Sequence, residues 1–90
     1  MDARMHRVIE RFPHLSAAVE ERFYDDRRFQ EICTDYAEAL QVLRNWEVSQ
    51  DPRRASRLAE YRKLTEELAA EILLALRSPI RDTDDDLSEE

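Results

Sequence analysis

The most reactive side chain in the sequence is the thiol of Cys33, the only cysteine among 90 residues. A nucleophilic or redox-active cysteine needs a helix N-terminus, a histidine or a basic neighbour, together with some exposure to solvent. Cys33 instead lies about two turns into a predicted helix, at helical spacing from Phe29, Ala37 and Leu40. The pattern predicts a packing residue, because an unpaired cysteine in an apolar stripe behaves as a small hydrophobic side chain.

Two histidines and a glutamate raise the question of a metal site. His6 and Glu10 lie one helical turn apart and His14 follows four residues later, a spacing that metal ligands on a helix can use. Pro13 interrupts that face, and the sequence contains neither a His-Glu-x-x-His nor a Glu-x-x-His motif. We therefore expect no metal and no cofactor.

Hydroxyl groups and loops give no stronger indication of catalysis. Four serines lie at predicted helix ends, where a serine hydroxyl caps the backbone or contacts water: Ser16, Ser49, Ser56 and Ser78. The sequence contains no glycine, which excludes the glycine-rich loops that bind nucleotide phosphates. We expect no catalytic residue, no enzymatic activity and no small-molecule substrate.

Arginine is the dominant base, with 13 arginines against one lysine. Residues 79–90 carry a net charge of −5 out of −7 for the whole chain, which leaves −2 for residues 1–78. A nucleic-acid-binding domain would instead have a basic surface, so we expect no nucleic-acid partner.

Two arginine clusters stand at predicted helix N-termini, where positive charge opposes the helix dipole. Arg53, Arg54 and Arg57 form one cluster, which we interpret as a candidate contact for an anionic partner. Arg27 and Arg28 form the other, and the acidic C-terminal segment is their candidate partner.

The elements that must position these side chains are helices. Alanine, leucine, glutamate and arginine are frequent and favour helices, and prolines at positions 13, 52 and 79 mark the breaks. Apolar residues at helical spacing predict a short helix ending near Pro13 and a second helix after it. Two longer helices, about 26–47 and about 52–77, are joined by a short polar connection with Asp51 as the N-cap, so they should form an antiparallel hairpin.

We therefore predict an all-α fold, a small bundle in which one or two shorter N-terminal helices cover the hairpin. Residues 1–78 form the single domain, and residues 79–90 form a disordered acidic tail. The second and third helices either break near residues 24–26 or continue as one bent helix. No apolar run approaches the length of a membrane span and no secretory signal is evident, so the expected location is cytoplasmic, with no membrane partner.

The apolar faces of the two long helices each span about half of the circumference. A two-helix seam needs only a narrower stripe, so part of each face is expected to contact another surface. The candidate interaction residues are Tyr36, Leu43, Trp46, Tyr61, Leu68 and Ile72. We predict a protein–protein interaction or oligomerisation module, as a homodimer or with another protein. The alternative is a regulatory or adaptor subunit that binds an anionic partner through the arginine cluster.

Four segments carry a resemblance to a group of small bacterial helical proteins without an assigned activity. They are RFPHL at residues 11–15, DRRFQEICTDYAEAL at 26–40, LRNWE at 43–47 and EYRKLTEELAAEIL at 60–73. The chain is also similar in outline, more remotely, to the YdcH-like helical hairpins. The resemblance implies an antiparallel helical hairpin in a bacterial cytoplasm and no catalytic residues.

Overall fold

The computed structural model describes residues 2–77 of the chain, and four α-helices make up most of them. They are Ala3–Arg11 (α1), Ser16–Asp25 (α2), Arg27–Glu47 (α3) and Arg54–Arg77 (α4), with a 3-10 turn at Pro13–Leu15 between α1 and α2. The predicted all-α class is confirmed, since α3 packs against α4 as a helical hairpin. The predicted tail at 79–90 and its contact with Arg27 and Arg28 lie outside the described residues.

Hydrogen bonds to Asp51 stabilise the connection between the two long helices. Its side-chain Oδ1 accepts a hydrogen bond from the Arg53 amide at 2.8 Å, and its backbone carbonyl accepts one from the Arg54 amide at 2.9 Å. Pro52 and Arg53 therefore form a turn, and α4 begins at Arg54, two residues later than the proline at the first helical position would predict.

The junction between α2 and α3 is a true break. Asp26 has an extended backbone (φ −134°, ψ 106°), and its carboxylate accepts hydrogen bonds from the amides of Arg28 and Phe29 at 3.0 and 3.2 Å. These bonds satisfy two amides that have no partner within the helix. Of the two arrangements that the sequence allows, the structure has separate helices.

The core lies where α1 and α2 cover one side of the hairpin. Its fully buried residues come from all four helices and include Val8, Val19, Phe29, Cys33 and Ile72. Val8 and Val19 of the short helices belong to the same core cluster as Phe29, Cys33 and Ile72 of the long helices. The two short helices therefore cover apolar surface that a hairpin alone would leave in water.

Polar contacts fix α1 and α2 on that side. Arg4 donates from Nη1 to Thr34 Oγ1 at 2.9 Å, and its guanidinium lies 5.1 Å from the centre of the Phe23 ring. Arg22 donates from Nη1 to the carbonyl of Ala75 at 2.7 Å, near the end of α4. The short helices are therefore held against one face of the hairpin, and the other face carries the candidate site.

Candidate functional site

The face of the hairpin away from α1 and α2 contains a groove of about 360 Å³. Its lining comes from the two long helices alone: Asp35, Glu38, Ala39 and Val42 of α3, and Tyr61, Leu64 and Leu68 of α4. The antiparallel course of the hairpin places the middle of α3 beside the middle of α4, which brings these two sets together.

The groove has an apolar floor and partly exposed apolar walls. Ala39 and Leu68 are 5% and 9% exposed and form the floor, whereas Leu64 is 39% exposed. Val42 and Tyr61 are half-buried. The groove can therefore remove further apolar surface from water when another side chain enters it.

Helical spacing explains why these residues share one face. Asp35, Glu38 and Val42 recur at intervals of three and four on α3, and Tyr61, Leu64 and Leu68 do so on α4. The two carboxylates lie on the outer edge of the α3 side. Both are exposed, so the apolar floor is bordered by negative charge.

The six candidate interaction residues divide between the core and the surface. Tyr36, Leu43, Leu68 and Ile72 are buried, and Ile72 has no exposed surface at all, so it packs inside the monomer. Trp46 and Tyr61 are half-buried. Tyr61 and Leu68 line the groove, and a role for any of the six in binding a partner stays a prediction.

Sequence reasoning missed Val42, Leu64, Asp35 and Glu38 as members of a site. The apolar face of each long helix spans about half of the circumference, which shows that the helix has more apolar residues than a hairpin can bury. The width alone does not say which edge of that face α1 and α2 leave uncovered. The available signal was the spacing of Asp35, Glu38 and Val42, which places carboxylates and an apolar side chain on one narrow stripe of α3.

The three arginines of the predicted anion contact each have a partner within the chain. Arg53 Nε lies 3.0 Å from Asp51 Oδ1, Arg54 Nη2 donates to the carbonyl of Glu47 at 2.9 Å, and Arg57 Nη1 lies 2.8 Å from Glu60 Oε1. Hydrogen bonds from Arg53 lower the pKa of Asp51 to about 2. The chain thus supplies anionic or carbonyl partners to this helix N-terminus, and an anionic protein partner stays a prediction.

The environment of Cys33 confirms its assignment as a packing residue. The side chain is fully buried in the core, and this burial raises the pKa of its thiol to about 12, although Arg4 partly opposes the rise. A thiol of this kind is a poor nucleophile near neutral pH, because the thiolate is the reactive form.

The two histidines lie apart from the groove. Nε2 of His6 is 3.2 Å from Oε2 of Glu10 on α1, and His14 is exposed in the 3-10 turn. Within residues 2–77, no three histidine, cysteine or acidic side chains are grouped so that they could hold a metal ion. Nor does any helix in that range have the length and apolar character needed to cross a membrane.

Comparison of the chain with family models, with curated proteins and with solved structures finds no match in any of the three. The resemblance noted from the four sequence segments therefore stays a prediction.

Proposed function

We propose that this protein is a small protein–protein interaction module that binds a helix of another protein in the groove between α3 and α4. The observation that carries the proposal is an apolar groove, formed by both long helices, that α1 and α2 leave uncovered. An amphipathic helix laid into a hydrophobic groove is a recurring mode of peptide recognition.

The dimensions of the groove suit a short helix. The α3 side of the groove runs from Asp35 to Val42, which is about 10 Å at 1.5 Å per residue, or about two turns. A helix of that length presents apolar side chains at positions i, i+4 and i+7. Such side chains can contact Val42, Tyr61 and Leu64, which are already partly exposed.

A second copy of this chain, the homodimer predicted from the width of the apolar faces, is the competing occupant. Two copies meeting at this face would each bring Asp35 and Glu38 to the contact, and like charges at an interface are unfavourable. Light scattering on a sizing column at low and high salt separates the two occupants. A monomer is expected, and a salt-resistant dimer that buries the methyl groups of Leu64 would contradict the proposal.

The binding test uses a synthetic helical peptide of about 14 residues, held helical by a side-chain staple, with leucine at i, i+4 and i+7 and glutamine elsewhere. We expect binding by fluorescence anisotropy, with methyl NMR shifts at Val42 and Leu64. Leu64→Glu should weaken binding at least about tenfold, because a carboxylate would be buried against the leucines.

The matched control is Leu74→Glu, on the same helix. Leu74 is 62% exposed and does not line the groove, so this variant should bind the peptide as the unaltered protein does. Equal losses from the two variants, or no binding to the unaltered protein, would overturn the proposal.

A further inference from the structure

The edges of the groove carry four carboxylates that have no ion-pair partner among residues 2–77. Asp35 and Glu38 line its α3 side. On α4, Glu67 and Glu71 follow Leu64 by three and seven residues, which places both within about 60° of it around the helix. We name these four exposed carboxylates the acidic rim.

No carboxylate of the acidic rim makes an ion pair within the part of the chain that the structure describes. Glu66, next to Glu67 in sequence, points to the other side and pairs with Arg11 at 2.8 Å. The nearest bases on α4, Arg62 and Lys63, point at least about 100° away from Leu64. On α3, Arg28 shares the stripe of Asp35 but precedes it by seven residues, about 10 Å along the helix, and makes no ion pair with the rim within residues 2–77.

Beyond the groove, the end of the same face beside the loop, here called the loop end, differs in charge. Arg57 lies on the same stripe of α4 as Leu64 but forms an ion pair with Glu60. Arg53 forms an ion pair with Asp51, and its guanidinium lies 5.7 Å from the centre of the Trp46 ring. That end therefore has little net charge and an aromatic surface. The carboxylates of the acidic rim, which make no ion pair within residues 2–77, lie from the middle of the hairpin toward the end away from the loop.

This arrangement distinguishes between partners. A second copy that met this face with its own groove would place its acidic rim either against the same rim or against the nearly neutral loop end, so neither orientation supplies compensating positive charge. A helix with bases beside its apolar stripe supplies it in every turn that lies over the rim. Complementary charge of this kind also raises the association rate and makes binding depend on salt.

Deepening the proposed function, on which this inference rests, we propose that the partner helix is basic: lysines or arginines flank its apolar stripe and lie over Asp35, Glu38, Glu67 and Glu71. The apolar residues bind in the groove, and the bases contact the rim at the end of the hairpin away from the loop. The loop end, beside Trp46, contacts an uncharged part of the partner.

The test compares three stapled peptides that share the leucines of the binding probe and differ only in the flanking residues, which are lysine, glutamine or glutamate. At low salt the lysine peptide should bind at least about tenfold more tightly than the glutamine peptide, and the glutamate peptide should bind most weakly. At about 0.5 M salt the three affinities should converge.

A double variant, Asp35→Lys with Glu38→Lys, gives the decisive comparison. Both positions are exposed, so the variant should keep the helical circular dichroism of the unaltered chain, and it should remove or invert the preference for lysine. The matched control is Glu20→Lys with Glu21→Lys, on α2, which should leave the order of the peptides unchanged.

The outcomes separate this inference from the proposed function. Binding of all three peptides with equal affinity, or tightest binding of the glutamate peptide, overturns the basic partner and leaves the groove as a helix-binding site. Binding of none of the peptides overturns the groove itself. A chain that is dimeric through Leu64 identifies a second copy as the occupant and overturns both.

Discussion

The guanidinium of Arg11 and the carboxylate of Glu66 form two parallel hydrogen bonds, Nη2 to Oε1 at 2.8 Å and Nη1 to Oε2 at 2.9 Å. This pair joins the last residue of α1 to the middle of α4, 55 residues away in sequence. Among the side-chain ion pairs within residues 2–77, its two residues are the farthest apart in sequence. It joins α1 to the hairpin on the side opposite the groove.

The first prediction concerns the pH dependence of that pair. Hydrogen bonding from Arg11 lowers the pKa of Glu66 below its usual 4.5, so the folded chain holds this carboxylate ionised at lower pH than the unfolded chain does. The stabilisation is complete above about pH 5 and is lost as the pH falls through the lowered pKa. Because the side chains of Arg11 and Glu66 are 39% and 63% exposed, Glu66→Gln should cost no more than about 1 kcal/mol of unfolding free energy near pH 7.

Urea unfolding followed by circular dichroism, near pH 7 and near pH 2.5, measures the effect. The control is Glu67→Gln, since Glu67 makes no ion pair within the described residues. Equal costs for the two variants at neutral pH, or a cost for Glu66→Gln that persists at the lower pH, would contradict the assigned role of the pair.

The second prediction concerns the reactivity of Cys33. With its pKa raised to about 12 by burial, only about one thiol in ten thousand is ionised near pH 8. A disulfide reagent that measures accessible thiols should therefore react with the folded chain far more slowly than with the chain in urea. Reaction of the folded chain at the rate of a free thiol would show that the core opens at Cys33.

Substitution of Cys33 gives an independent measure of the same packing. Cys33→Ser should destabilise the fold by about 2 kcal/mol, because the serine hydroxyl would be buried among apolar side chains that cannot accept its hydrogen bond. Cys33→Ala should cost about 1 kcal/mol, since it removes only a small apolar group. The urea midpoint reports both, and a serine variant as stable as the alanine variant would count against an apolar environment.

Much of the fold could be predicted from periodicity. The stripes that contain Phe29, Cys33 and Leu43 on α3, and Leu58, Leu68 and Ile72 on α4, fall within the core. Local chemistry also predicted the break between the long helices, because the Asp51 carboxylate and Pro52 favour a turn. The first residue of α4 differed, since Pro52 and Arg53 complete that turn before the helix begins at Arg54.

The candidate site was harder to predict, for a geometric reason. Helical spacing locates Ile72 and Leu64 on apolar surface equally well, but it does not say on which side α1 and α2 pack. Contacts such as Arg4 with Thr34 and Arg22 with Ala75 decide that side, and they join residues 30 and 53 positions apart. Ile72 is therefore covered, whereas Leu64 is left at the edge of an open groove.

The third prediction concerns the start of α3. The carboxylate of Asp26 accepts hydrogen bonds from the amides of Arg28 and Phe29 and lies 3.5 Å from Nη1 of Arg22, so Asp26→Ala should destabilise the fold by at least about 1 kcal/mol. The neighbouring acid provides the control, because Asp25 is exposed and makes no such bond. Asp25→Ala should change the unfolding free energy by no more than a few tenths of a kcal/mol. Equal effects of the two substitutions would mean that charge, rather than capping, stabilises this junction.

The last prediction separates the floor of the groove from its wall by comparing two leucines on the same helix. Leu68 is 9% exposed and belongs to the core cluster, whereas Leu64 is 39% exposed. Leu68→Ala should therefore destabilise the fold by about 2–3 kcal/mol, because it removes packed methyl groups and leaves a cavity. Leu64→Ala should cost about 1 kcal/mol or less, because part of that side chain is already in water.

Urea unfolding measures both costs, and anisotropy with the leucine peptide measures binding by the same variants. Leu64→Ala should weaken peptide binding while the fold stays nearly as stable as that of the unaltered chain. A loss of binding without a loss of stability is expected of a residue in the wall of a binding groove, because its apolar surface contacts the partner rather than the core. If Leu64→Ala destabilised the fold as much as Leu68→Ala, Leu64 would be a core residue and the groove would lose its exposed apolar wall.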